Sequence, residues 1–308
     1  MNPPLLQVSG LAKTYGEVCV VDQLDLTLES GMVLGLLGPN GAGKTTTLRM
    51  LYGFIDPTAG RIEYEGRDFR KHRTEIKRWI GVCTQHDSLD EDFSILQNLE
   101  MHACYFRPRI PNLRERITEL VELFELQEYR FHSPRQLSGG YRRRLMIARS
   151  VIHHPQVLFL DEPTTGLDPK ARMELWELID RMRSEGMGVI LTTHYMDEAE
   201  RLSDQLVMLL KGRSVSRGTP ASVLGEMLGE HVVAVPPDQP QDEVQAWAKR
   251  HGLGTPMSIL GEQHLPLTGE QLAAFSEKFP NLRFQVRPPN LDDLFFRLSL
   301  PVEQKEVA

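Results

Sequence analysis

Gly38-Pro39-Asn40-Gly41-Ala42-Gly43-Lys44-Thr45-Thr46 is the stretch of this sequence best suited to holding a polyphosphate. From Gly38 to Thr45 it fits G-x-x-x-x-G-K-[ST], the P-loop pattern. Gly38, Gly41 and Gly43 can adopt backbone angles closed to other residues, so successive N–H groups turn inward around a phosphate. A helix opening near Lys44 adds unpaired N–H groups and the positive end of its dipole. Lys44 brings a mobile full charge for the outer phosphates, and the Thr45 hydroxyl is a ligand type suited to Mg²⁺. The plain alternative is a chance glycine turn between a strand and a helix. It is disfavoured because both flanks are of the right type.

Those flanks belong to a longer alternation. Val33–Leu37 is an apolar run suited to a buried parallel strand, and Asp22–Leu28 alternates polar and apolar as a half-solvated antiparallel strand does. Leu5–Leu11 reads as an opening strand, with Lys13-Thr14-Tyr15-Gly16 at a turn, and Gly53 closes the P-loop helix. Ile80–Gln85, Val157–Glu162, Val189–His194 and Leu206–Leu210 are apolar strands, several of which stop at a polar residue. From Ile95 to Leu126 the pattern is helical, with Leu113, Ile117, Leu120, Val121 and Phe124 on one face. A second helical block follows Ser138-Gly139-Gly140. The run Arg142-Arg143-Arg144 on that block reads as a solvated face or a local anion contact rather than a nucleic-acid patch. Strands alternating with helices predict an α/β sheet with ligand groups at the carboxyl ends of its strands.

After about Leu228 the texture changes. The order expected there is a strand near Val232–Val235, a helix near Gln241–His251, two short strands within Met257–Leu267, a helix near Gly269–Phe279, a strand near Leu282–Arg287 and a closing helix from Asn290. This β-α-β-β-α-β order suggests a small ferredoxin-like α+β domain over 229–300. Residues 301–308 form a tail, frayed from Val302 to Ala308.

The 308 residues suffice for about two domains. A net charge of −7 argues against broad nucleic-acid binding, which needs a basic surface. No apolar run approaches the roughly 18 residues of a membrane span. Met1-Asn2-Pro3-Pro4 lacks the basic and apolar regions of a signal peptide. Cys19, Cys83 and Cys104 are too scattered for a disulfide framework or a zinc site, which suggests a reducing compartment.

Leu137-Ser138-Gly139-Gly140-Tyr141, about twenty residues before Asp161-Glu162, narrows the reading further. Taken in order with the P-loop, Gln85, Asp168 and His194, the set resembles the nucleotide-binding subunit of ABC transporters. The resemblance runs from about Leu5 to Pro220. It implies a P-loop NTPase domain over 1–228, with a mostly parallel RecA-like sheet, an antiparallel β subdomain and a helical subdomain over about 90–155. By the same resemblance Tyr15 stacks on adenine, and Gly38 to Thr46 bind the phosphates of ATP. Asp161 ends a strand expected beside the P-loop strand and reaches the Mg²⁺ shell, with Thr45 and Gln85 as further metal contacts. Glu162, one residue nearer the γ-phosphate, is the general base or water-orienting group. Gln85 senses the attacking water, and His194 hydrogen-bonds the γ-phosphate. Ser138, Gly139, Gly140 and Asp168 complete the site of an opposite copy, which implies a head-to-tail homodimer or a pair with a paralogous ATPase subunit. Tyr141 departs from the glutamine most common in the family.

Thr164-Thr165-Gly166-Leu167-Asp168-Pro169, Thr193–Glu200 and the closing Pro289–Phe295 resemble the branch that powers bacterial drug, polysaccharide and lipo-oligosaccharide exporters. That branch implies a separate transmembrane permease, with the ATPase held peripherally at the cytoplasmic face of the inner membrane. The permease would dock after Gln85, near Asp87 to Phe106; Leu89, Phe93 and Phe106 fit such a groove or a core equally well. A soluble ABC ATPase acting on nucleic acid or ribosomes is the alternative. It fits poorly, because no long insertion separates Lys44 from Ser138. The region after Leu228 suits either ligand sensing or an added dimer contact.

Overall fold

The computed structural model describes residues 3–253 and 255–299, so the tail expected at 301–308 lies outside the described residues. The chain divides into two compact units, Met1–Val215 and Ser216–Ala308.

In the first unit, β1 (Leu6–Tyr15) and β2 (Val18–Leu28) pair antiparallel, and β3 (Val33–Leu37) runs into the P-loop and α1 (Lys44–Leu51). Gly53, at φ +71°, follows the α1 C-terminus, and β4 (Ala59–Tyr64) and β5 (Arg67–Asp68) complete a four-stranded antiparallel sheet of order β2-β1-β4-β5. Next come α2 (Arg73–Ile76), β6 (Ile80–Cys83), α3 (Ile95–Ala103), α4 (Leu113–Leu123) and α5 (Gly139–Ser150). The helical stretch from Ile95 is thus split between α3 and α4, where Pro108 and Pro111 cannot donate a helical N–H. The remaining elements are β7 (Val157–Asp161), α6 (Pro169–Ser184), β8 (Gly188–Thr192), α7 (Met196–Leu202), β9 (Gln205–Leu210) and β10 (Arg213–Gly218), which crosses into the second unit, where α8 (Pro220–Leu228) follows.

The second sheet has the order β10-β9-β3-β8-β7-β6, with β9, β3, β8, β7 and β6 mutually parallel. One expectation is corrected here: Asp161 does not end the strand next to the P-loop strand. β8 lies between β3 and β7, because the crossover through α6 returns the chain to the inner position. Successive residues of each buried strand feed opposite layers. Leu158 and Leu160 face α3 to α6, whereas Val157 and Phe159 pack with α1 and the antiparallel sheet.

The second unit carries β11 (His231–Val235), α9 (Gln241–Arg250), β12 (Met257–Ile259), β13 (Glu262–Leu267), α10 (Gly269–Lys278), β14 (Gln285–Arg287) and α11 (Leu291–Ser299). Its sheet is antiparallel in the order β12-β13-β11-β14. Val233, Val235, Trp247, Leu265 and Phe275 form its core.

Candidate functional site

The backbone of the P-loop is fixed by its glycines. Gly38 sits at φ +145°, and a Cβ there would lie 2.1 Å from the Leu209 carbonyl oxygen. Gly43, at φ +102°, precedes α1, where a Cβ would meet the Val20 carbonyl oxygen at 2.8 Å. Gly41, at φ +80°, has open space around it, so only its backbone angle calls for glycine. Lys44 is nearly buried, and its Nζ donates to the carbonyls of Gly38 (2.7 Å) and Pro39 (3.2 Å). Burial lowers its pKa, while the charges of Glu162 and Asp161 act in the opposite direction. Asn40 is exposed, Ala42 buried, and Pro39, Thr45 and Thr46 half-buried. Tyr15 ends β1 instead of lying in a turn; it is half exposed, with Lys13 Nζ 4.9 Å from its ring centre.

The strand ends bring four of the expected residues together. Glu162 Oε2 accepts from Gln85 Nε2 (3.0 Å) and Thr165 Oγ1 (3.1 Å), and His194 Nδ1 lies 3.2 Å away. Thr192, the last residue of β8, donates from Oγ1 to Asp161 Oδ1 at 2.6 Å and so orients that carboxylate. The Glu162 N–H in turn donates to the Thr192 carbonyl. Glu162 has φ +50°, the left-handed region that a side chain seldom occupies. Such a conformation persists only where its surroundings over-determine it, and it is typical of functional sites.

The side chain that over-determines it belongs to the arginine run of α5. Arg143 is not on a solvated face: it is 7% exposed, and its guanidinium spans the turn under Glu162. Nε donates to Pro163 O (2.7 Å), Nη1 to Thr84 O (2.8 Å), and Nη2 to both Asp161 O and Glu162 O (3.0 Å each). Arg144 is equally buried and pairs with Glu125 and Glu174 (2.7 Å). Arg142 is partly exposed and binds Glu91 (3.0 Å) and Asp87. The apolar periodicity of α5 gave no sign that two of three consecutive arginines point inward. The usable signal was the position of the run, immediately after a phosphate-cradle motif.

Ser138, Gly139, Gly140 and Asp168 form a second group. Ser138 caps α5, with a long 3.5 Å contact from Tyr141 N to its Oγ. Asp168 caps α6 by accepting from Ala171 N at 3.0 Å. The two helix starts adjoin, since a Cβ on Gly140 would lie 3.1 Å from Ala171 Cβ. Ser138, Gly139 and Asp168 are exposed. Neither signature glycine has a positive φ, and a Cβ on Gly139 would meet only Leu167, at an ordinary 3.7 Å. The Tyr141 ring lies 4.5 Å from that of Tyr129. Of the groove residues, Leu89 and Phe106 are half-buried against the core, and Phe106 stacks on His153 at 4.0 Å.

The sequence model of the family described as ABC transporter matches residues 21–165. The Nod factor export ATP-binding protein I of Ralstonia nicotianae is 40% identical over 314 residues, covering 97% of this chain and 94% of that protein. Its counterpart in Rhizobium johnstonii is 38% identical over 304 residues, covering 97% and 96%. Among solved structures, an ATP-binding subunit of an ABC transporter matches with a TM-score of 0.66 and 28% identity, over 73% of this chain and 93% of that one. A dimeric ATP-binding cassette in a post-hydrolysis state, bound to ADP and Pi, matches with a TM-score of 0.63 and 26% identity, over 70% and 98%.

Proposed function

This chain belongs to the ATP-binding, ATP-hydrolysing subunits of ABC transporters, and on that premise we propose that it powers a separate membrane permease by closing and opening as a head-to-tail dimer. Each ATP lies between Gly38–Thr46 of one copy and Ser138–Gly140 of the other, with Tyr15 against the adenine and Asp168 at the same interface. The observation that carries the reading is the exposed second cradle. Gly139 answers no need of this chain's own packing or backbone, so the room it leaves is room for a ligand brought by another copy.

Glu162 orients or deprotonates the attacking water, and Gln85 and His194, both bound to its carboxylate, report the γ-phosphate. The oxygen donors Thr45, Gln85 and Asp161 are the hard ligands that Mg²⁺ prefers, and the hold of Thr192 on one Asp161 oxygen leaves the other available. When bound there, Mg²⁺ neutralises charge building on the β- and γ-phosphates. Loss of the γ-phosphate removes contacts on both sides of the interface, and that opening drives the partner.

Among the described residues no helix is long and apolar enough to cross a membrane, and in this reading the translocation path belongs to a separate permease. Two features support docking of that chain after Gln85. A concavity of about 560 Å³ there is lined by Thr84, Ser88, Phe106 and Arg149, among others. The relatives, moreover, are named for export. We therefore place the protein at the cytoplasmic face of the membrane, held by an export permease. Glu162→Gln tests the reading: ATP binding persists, turnover falls about 10²–10⁴-fold, and a dimer accumulates by light scattering. A preparation saturated with Mg-ATP that stays monomeric, even with its permease supplied, overturns it.

A further inference from the structure

We propose that Arg143 is a positioning residue for ATP hydrolysis, fixing the Glu162 backbone and the entry to the Gln85 loop from the helix that carries the second phosphate cradle. The inference rests on the assignment of Glu162 above. Arg143 lies on the second turn of α5, the helix that Ser138 opens. Its four bonds all go to backbone carbonyls, those of Asp161, Glu162, Pro163 and Thr84, and none to a carboxylate. The rigid planar fork of a buried guanidinium bonded to carbonyls alone dictates where those carbonyls stand.

Three of the four carbonyls flank or belong to Glu162, whose φ of +50° needs external support. The fourth belongs to Thr84, the residue before Gln85, whose side chain binds the Glu162 carboxylate. One side chain therefore sets both partners of the Gln85–Glu162 pair. It does so from the helix whose first residues are offered to the opposite copy. Lysine keeps the charge but loses the fork, so it cannot hold all four carbonyls at once.

Arg143→Lys should lower kcat about tenfold or more while leaving the affinity for ATP within about twofold, as expected for loss of an interaction made only in the transition state. Arg144→Lys is the control, because Arg144 is as buried on the same helix but bonds to Glu125 and Glu174. It should lower the melting temperature and keep kcat per folded molecule within about twofold. Arg143→Gln, with a planar but uncharged two-donor amide, supplies a second variant should the lysine form fail to fold; its kcat should fall at least as far as that of the lysine form. In single-turnover assays, Arg143→Lys with Glu162→Gln should match Glu162→Gln alone within about twofold, because the two act as a unit.

Wild-type kcat in folded Arg143→Lys and Arg143→Gln overturns the proposal. So does an equal loss in Arg144→Lys, or full additivity with Glu162→Gln. Glu162→Gln by itself separates the two failures. If it turns over normally, the site assignment is wrong. If it is dead while Arg143→Lys is fully active, only the role of Arg143 is lost.

Discussion

The P-loop cluster and the signature turn are both phosphate cradles by motif, yet the fold treats them in opposite ways. Around the P-loop most of the unusual features are locked by the chain itself. Gly38 and Gly43 are pressed against carbonyls, Lys44 is folded onto its own loop, and Glu162 is strained but held by Arg143 and Thr192. Around Ser138–Gly140 almost nothing is locked. The cap contact is long, the glycines have ordinary angles, and the surface is open. Glycine is therefore retained for two different reasons. At Gly38 an internal neighbour excludes a Cβ, and at Gly139 only an external one can. The first half-site is finished by folding, and in the proposed reading the second is finished by assembly.

Substituting one glycine in each half sharpens that contrast most. Gly38→Ala places a methyl 2.1 Å from a backbone oxygen at a φ of +145°, a strain above about 3 kcal/mol that the loop can relieve only by moving. ATP affinity of the monomer should fall at least about a hundredfold, since every 1.4 kcal/mol is a factor of about ten. Calorimetric titration with ATP checks this, and near-normal affinity would mean the loop is less tightly held than its geometry indicates.

Gly139→Ala should do the reverse. Nothing among the described residues obstructs the added methyl, and alanine favours a helix over glycine by up to about 1 kcal/mol. The melting temperature should hold or rise, and monomer ATP affinity should stay within about twofold of the parent. In a Glu162→Gln background, however, the ATP-driven dimer should weaken by about tenfold or more, the scale of 1.4 kcal/mol. Analytical ultracentrifugation reads this directly. An undiminished dimer would break the comparison, because the turn would then owe nothing to a second copy.

The same contrast explains what the sequence disclosed. The P-loop was legible as glycines at fixed spacing, and the carboxylate pair, Gln85 and His194 as polar residues closing apolar runs, though only the family resemblance gave those strand-end residues their roles. The alternation of α and β elements was legible for the same reason, through the period of apolar residues. Strand order was not. Whether β7 neighbours β3 or lies beyond β8 depends on which crossover fills which slot, and no residue of Val157–Asp161 carries that information. Arg143 was illegible for a different reason. A triplet of arginines on a helix reads as a solvated face or a local anion contact, and Arg142 and Arg144 do meet carboxylates; what draws Arg143 inward is a set of carbonyls from residues 84 and 161–163, far away in sequence. Lys13-Thr14-Tyr15-Gly16 reads as a turn, whereas pairing of Tyr15 with Val18 carries β1 to Tyr15.

Between the two half-sites runs α6, which starts at Asp168, and α7, which follows His194; they meet at a buried carboxylate. Glu198 is fully buried, its Oε1 accepting from Trp176 Nε1 at 3.0 Å. Burial raises its pKa, opposed by Thr193, Thr164, Trp176 and Arg172. A raised folded-state pKa means that the folded protein binds this proton more tightly than the unfolded chain does. The resulting stability is fully present below the unfolded value of 4.5 and is lost as pH rises through the raised value. Glu198→Gln is neutral throughout, so it lacks this dependence. The stability of wild type relative to the variant should decline with rising pH above 4.5, by at most about 1.4 kcal/mol per pH unit. Paired urea titrations from pH 4 to pH 8 measure the difference. A flat difference would mean that Glu198 binds its proton no more tightly in the folded protein than in the unfolded chain, and the α6–α7 contact would then hold an ionised carboxylate above about pH 4.5 rather than a buried acid.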